Sequence, residues 1–152
     1  MSAAIDANML LYAEDQASPF HSAALKFLDG LLKSEKPVYL TWDVIHAFLR
    51  IATHPGIFAN PLTAKEAVAD LQKLIAHPAV TLLAPTQESW TILAHLASDL
   101  HLRGNLIPDA VTASILEANG IRTIYSNDRD FWKFPALKPI DPFAGSRRRA
   151  DF

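Results

Sequence analysis

The chain has 152 residues, half of them apolar and a fifth charged, a length and composition that fit one globular domain with a substantial core. Its net charge of −2 excludes a globally basic nucleic-acid binder, so any nucleic-acid contact must come from a local patch. The absence of cysteine excludes disulfides and thiolate metal sites and suits a reducing compartment. No apolar run approaches the roughly 18 residues of a membrane span, and no basic leader precedes the first apolar run. The expectation is a cytoplasmic protein with no membrane partner.

Ala3-Ala4-Ile5 reads as a short buried strand over 2–6, ending in Asp6. Such a strand belongs in the middle of a parallel sheet, and Asp6 then stands at its carboxyl end, where open α/β sheets hold ligands. A carboxylate there is either a helix cap or a group that needs a positive partner. Residues 8–14 read as a short helix stopped near Ser18-Pro19, and Ala24, Leu25, Phe27, Leu28, Leu31 and Leu32 mark a second over 20–32. Pro37 opens a strand through Leu40. Thr41 is placed to cap a helix over 42–53, which His54-Pro55-Gly56 ends. Ile57 and Phe58 lie in a loop, and Thr63 caps an amphipathic helix through Ala76. The apolar faces of 20–32 and 63–76, with Ile57 and Phe58, exceed what one small core needs, so part of this surface is expected to serve a dimer or a partner helix.

Val80 to Leu83 is a strand, and Thr86 starts a helix to about Leu102. Pro108, at a first helical position, opens a helix that ends at Asn119-Gly120. Residues 121–125 form the fourth strand, 126–131 a polar loop, and 137–140 a short edge strand. The domain is expected to span 1–142, followed by a mobile basic tail over 143–152. The alternation of strands and helices predicts an α/β fold, a three-layer α/β/α sandwich around a parallel sheet of 4–5 strands.

Three carboxylates occupy comparable places: Asp6 after strand one, Asp109 in the first turn of a helix, and Asp128 after strand four. Asp130 is a fourth or outer candidate. Each has a structural use alone, in a cap, a helix start or a turn. Together they repel, and a hard divalent ion such as Mg²⁺ or Mn²⁺ resolves the repulsion. Such ions activate water for displacement at phosphorus. The six histidines show no HExxH-type pair, and the chain has neither a Gly-x-Ser-x-Gly elbow nor a phosphate-cradling glycine loop. An aspartyl-phosphate enzyme would want a second Asp where Asn8 stands.

Four segments carry a family resemblance: Ile5 to Ala13, Phe48-Leu49-Arg50-Ile51-Ala52-Thr53-His54-Pro55, Leu106-Ile107-Pro108-Asp109-Ala110, and Ser126-Asn127-Asp128-Arg129-Asp130-Phe131. In order and spacing the chain resembles PIN-domain ribonucleases, and more closely the VapC toxins of bacterial toxin–antitoxin pairs. The resemblance reaches to about Ile140. It implies a Mg²⁺- or Mn²⁺-dependent endoribonuclease with Asp6, Asp109 and Asp128 as catalytic metal ligands. It also implies a cytoplasmic homodimer neutralised by a VapB-type antitoxin. The family usually has a Glu immediately before the Phe-Leu-Arg segment, and this chain has Ala47 there. Asp43, four residues earlier on the same helix face, either substitutes for that Glu or only complements the helix start. RNA would meet Lys133, Lys138, Arg122, Arg129 and Arg147-Arg148-Arg149. The competing expectation, kept open by Ala47, is a degenerate PIN-fold protein that binds antitoxin or RNA without cleaving.

Overall fold

The structure is a computed structural model that describes residues 2–144. Five strands form one parallel sheet: β1 (Ala3–Ile5), β2 (Val38–Thr41), β3 (Val80–Leu83), β4 (Thr123–Tyr125) and β5 (Lys138–Ile140). Their order is β3-β2-β1-β4-β5, so the first strand made is the central one. Ala4 pairs with Tyr39 on one side and Ile124 on the other. Strand order reverses at β1, and the crevice between β1 and β4 is therefore the topological switch point where such sheets bind ligands.

Side-chain alternation along the strands builds the two faces. Ile5, Val38 and Leu40 point into one core with α1 (Ala7–Glu14), α2 (His21–Lys33), α3 (Trp42–Ala52) and α4 (Ala64–Ile75). Ala4 and Ile124 point into the other with α6 (Leu106–Ala118), a 3₁₀ turn (Arg129–Lys133) and the apolar flank of α5 (Gln87–Asp99). This is the three-layer sandwich the alternation predicts. Among the described residues no helix is long and apolar enough to cross a membrane.

Several local expectations shift. Pro108 does not open its helix: α6 begins at Leu106, and Pro108 sits inside the first turn, where its missing N–H leaves no helical bond unmade. The fourth strand is shorter than 121–125. Gly120, at φ 69°, closes α6, and Ile121 donates to the Leu116 carbonyl at 2.9 Å in a Schellman pair, so pairing starts only at Thr123. The helix expected to reach Leu102 stops at Asp99, because Leu100 turns extended. Thr63 and Thr86 both cap through side-chain bonds, whereas Thr41 stands at its cap position without making one.

Phe58 is buried, not part of an exposed surface, while Ile57 remains exposed. Phe143, placed by sequence in the tail, is buried too. It stacks on Phe20 at 5.3 Å and meets Tyr12 and Phe27 edge-on. Phe143→Ala should cost about 3–5 kcal/mol, the scale of a large core truncation, in a urea unfolding experiment. A loss below about 1 kcal/mol would mean that this ring does not belong to the core. The expected tail beyond it, with Arg147, Arg148 and Arg149, lies outside the described residues.

Candidate active site

The chain turns from β1 into α1 at Asp6. One carboxylate oxygen, Oδ1, accepts from the Ala7 amide at 2.8 Å and caps the helix; the other accepts from the Ser126 hydroxyl at 2.7 Å. The cap reading of Asp6 is thus correct for one oxygen and silent on the second. Ser126 follows β4 directly and is buried. Its Oγ also accepts from the Asp128 amide at 3.0 Å and from Asn8 Nδ2 at 3.4 Å. One hydroxyl therefore ties the ends of β1 and β4 together across the switch point. Asn8 further donates to Asn127 Oδ1, and Asn127 donates to the Tyr12 hydroxyl at 2.8 Å. The Ser126-Asn127-Asp128 motif carries no sequence signal for this role beyond Ser126 standing two residues before Asp128 at the end of a strand.

Asp128 Oδ1 accepts from the Asp130 amide at 2.9 Å and caps the 3₁₀ turn, which brings both carboxylates to one place. Asp109, in the first turn of α6, joins them. Ligand oxygens of Asp109, Asp128 and Asp130 all lie within 4.8 Å of one another. Asp130 also pairs with Lys133 Nζ at 2.9 Å. Asp6 stands outside this tightest group but near enough to feel the charges of Asp128 and Asp43. Asp43, in the first turn of α3, is half-buried. Its Oδ2 accepts from the Thr112 hydroxyl of α6, and its Oδ1 is buried without a hydrogen-bond partner among the described residues. Nothing in the sequence of this apolar helix signals that Thr112 meets a residue 69 positions away. Ala47 packs on the α1-side core, and His46 is exposed.

The electrostatics match this crowding. Burial raises the Asp109 carboxyl to about 8, with Asp128, Asp6 and Asp130 adding repulsion. Burial raises Asp6 to about 6, against the bonds from Ser126 and Ala7 and with the charges of Asp128 and Asp43. Two further buried polar atoms at the same sheet edge, Asn8 Oδ1 and Thr41 Oγ1, also lack partners among the described residues. Clustered carboxylates, raised carboxyl pKa values and orphaned buried oxygens thus gather at the carboxyl edge of the sheet, an oxygen donor set of the kind hard cations take.

No family model matches the chain. Ribonuclease VapC48 of Mycobacterium tuberculosis H37Rv is 36% identical over 145 residues, spanning 95% of this chain and all of that protein. The chain belongs to the VapC ribonuclease family. VapC37 of the same organism is 34% identical over 138 residues, 91% of this chain and 95% of its own. Among solved structures, VapBC2 from Rickettsia felis, bound to a promoter DNA fragment, superposes with a TM-score of 0.68 at 15% identity, covering 92% of this chain and 98% of that one. The M. tuberculosis VapC20 toxin, described as cleaving the sarcin–ricin loop, gives 0.64 at 17% identity, covering 90% and 99%. These likenesses confirm the VapC fold for this chain.

Proposed function

We propose that this VapC-family chain is the toxin of a type II toxin–antitoxin pair, a cytoplasmic endoribonuclease that hydrolyses RNA phosphodiester bonds with Mg²⁺ or Mn²⁺. The observation that carries the metal reading is the convergence of the Asp109, Asp128 and Asp130 carboxylates. Asp109 and Asp128 would hold the ion directly, joined by Asp130 from the same tight group, while Asp6, outside that group, and Asp43 would complete the ligand set. A divalent ion there supplies Lewis-acid activation of the attacking water and neutralises charge that develops on the phosphate. The residues of the chain do the positioning. Ser126 fixes Asp6 against Asp128, and Thr112 holds Asp43 in a defined rotamer. Lys133, on Asp130, offers a cation to a passing phosphate at the rim.

The antitoxin reading has its own support. A groove of about 280 Å³ opens between α1, α2 and α4, lined by Leu10, Leu25, Leu28, Leu71 and Leu74. Glu14 and Asp70 line the same groove. Burial and the Asp70 carboxylate push Glu14 up to about 7, with Lys73 and His21 opposing. An amphipathic helix with apolar anchors and one cationic side chain complements such a groove, as the antitoxin of a VapB-type pair would. Homodimer formation remains part of this proposal.

Purified protein stripped of antitoxin should cleave structured RNA when Mg²⁺ or Mn²⁺ is added and stop when EDTA is added. Asp128→Asn serves as the inactive control. Cleavage that persists in EDTA overturns the metal reading. Binding of RNA without cleavage under any divalent ion would favour the degenerate protein that Ala47 kept open.

A further inference from the structure

Asn8 and Tyr12 stand one turn apart on α1, on the same face of the helix. Both reach the side chain of Asn127, which lies 119 positions after Asn8. Asn8 Nδ2 donates to Asn127 Oδ1, and Asn127 Nδ2 donates to the Tyr12 hydroxyl at 2.8 Å. One helix thus grips the Asn127 amide at both of its ends. Asn8 Nδ2 makes a second bond, to Ser126 Oγ at 3.4 Å. Together with the Asp128 amide, this bond uses both acceptor positions of the Ser126 hydroxyl, so its one proton is directed to Asp6 Oδ2. Both donors of Asn8 are engaged, while its Oδ1 is buried without a hydrogen-bond partner among the described residues. A buried acceptor left in that state is destabilising, and an apolar side chain would avoid the loss. The Tyr12 ring is itself fixed, 5.0 Å from Phe20 and 6.0 Å from Phe143.

We propose that Asn8 and Tyr12 are positioning residues of the carboxylate site: by gripping Asn127 they hold residues 126–128 against α1 and so set how Asp128 stands relative to Asp6. The geometry rests on hydrogen bonds alone; the consequence for an ion rests on the metal-dependent nuclease reading. Residues 126–128 lie between the end of β4 and the start of the 3₁₀ turn. A ladder bond from the Ser126 amide to the Ile140 carbonyl, at 3.0 Å, ties their first residue to the sheet. What joins them to α1 is side chains: Asn127 to Asn8 and Tyr12, and Ser126 to Asn8. The charges of Asp6 and Asp128 repel, and an unclamped turn would let Asp128 move away. The clamp opposes that movement, so the carboxylates stand together before a cation arrives. It also gives the amide at position 8 a reason: an aspartate there would supply no donor to Ser126 or Asn127.

The test uses the full chain. Tyr12→Phe removes the hydroxyl and keeps the ring against Phe20 and Phe143, and Asn8→Ala removes the other arm. In EDTA, hydrogen exchange at the Asp128 amide should quicken by about 10-fold in each variant, the scale of one lost hydrogen bond. The amides of β2, on the other side of β1, should keep their rates. Titration calorimetry should show Mn²⁺ binding weakened by about 10-fold in each, the lower end of the cost of disturbing groups that support metal ligands. The double variant should bind Mn²⁺ no more weakly than Asn8→Ala alone, because either loss opens the same clamp. At saturating Mn²⁺, Tyr12→Phe should lower kcat for RNA cleavage and leave KM unchanged. Phe20→Leu loosens the packing of the same ring but keeps the hydroxyl. It should lower the melting temperature and leave Asp128 exchange and Mn²⁺ affinity as they are. Unaltered Asp128 exchange in Tyr12→Phe, unaltered Mn²⁺ affinity in a chain that binds the ion, additive losses in the double variant, or an equal effect of Phe20→Leu would each overturn the proposal. Quickened exchange in a chain that binds no Mn²⁺ would support the clamp and remove the metal reading alone.

Discussion

Asp109→Asn should abolish metal-dependent RNA cleavage and, in the same molecule, stabilise the metal-free fold at neutral pH. Both effects come from one carboxyl held at about 8 by burial and by Asp128, Asp6 and Asp130. A folded-state pKa above the unfolded value of 3.8 means that the protonated form is favoured by folding. That contribution is fully present below about pH 4 and is lost as pH rises through about 6 for Asp6 and about 8 for Asp109. Metal-free protein should therefore melt at progressively lower temperature between about pH 5 and pH 8. Asp109→Asn should flatten the upper part of that slope; Glu14, raised to about 7 in the groove between α1, α2 and α4, keeps a residual slope of the same sign. Metal binding should release protons at neutral pH and weaken as pH falls. Asp6→Asn should also abolish cleavage. A scanning-calorimetry series in EDTA with identical pH slopes in both proteins, or an active Asp109→Asn enzyme, would refute this account of the cluster.

Asp43→Asn should lower metal affinity or cleavage by about 10–100-fold, the usual cost of disturbing a group that supports a metal ligand. The structural reason is that Asp43 does more than face a helix dipole: Thr112 holds one oxygen, and the other is buried without a partner among the described residues. Thr112→Val, which removes only the donor, should produce a milder loss in the same direction. Ala47→Glu adds a carboxylate one turn along the same helix face and should raise metal affinity. Titration calorimetry decides the matter. If Asp43→Asn leaves affinity and activity untouched and costs only about 0.3–1 kcal/mol of stability, Asp43 is a helix-start residue and nothing more. If Ala47→Glu leaves affinity unchanged, position 47 does not face the ion.

The legible parts of this molecule are those in which local chemistry and position agree. Ala3-Ala4-Ile5 ending at Asp6 announces a central strand with a carboxylate at its working end, and β1 lies in the middle of the sheet. Asp6 and Asp128 each follow a strand in the sequence, and their meeting depends on β1 pairing with β4, which it does. What stayed hidden depends on distance along the chain. The clip between Asp43 and Thr112 joins two helices that share no local pattern. Phe143 follows Asp141-Pro142 in a stretch that reads as the start of a tail, and its burial comes from rings on α1 and α2. Trp42 and Trp132 look like ordinary core aromatics in sequence; only their exposure separates them from Phe131 and Phe134, which are buried.

The strand order has a consequence for synthesis. β1 emerges first, yet its neighbour β4 is translated more than a hundred residues later, and Ser126 and Asp128 arrive later still. A growing chain carries Asp6, then Asp43, then Asp109, each without the group that completes the cluster. A site that needs carboxylates from both ends of the described chain would therefore be completed only after almost all of it has been made.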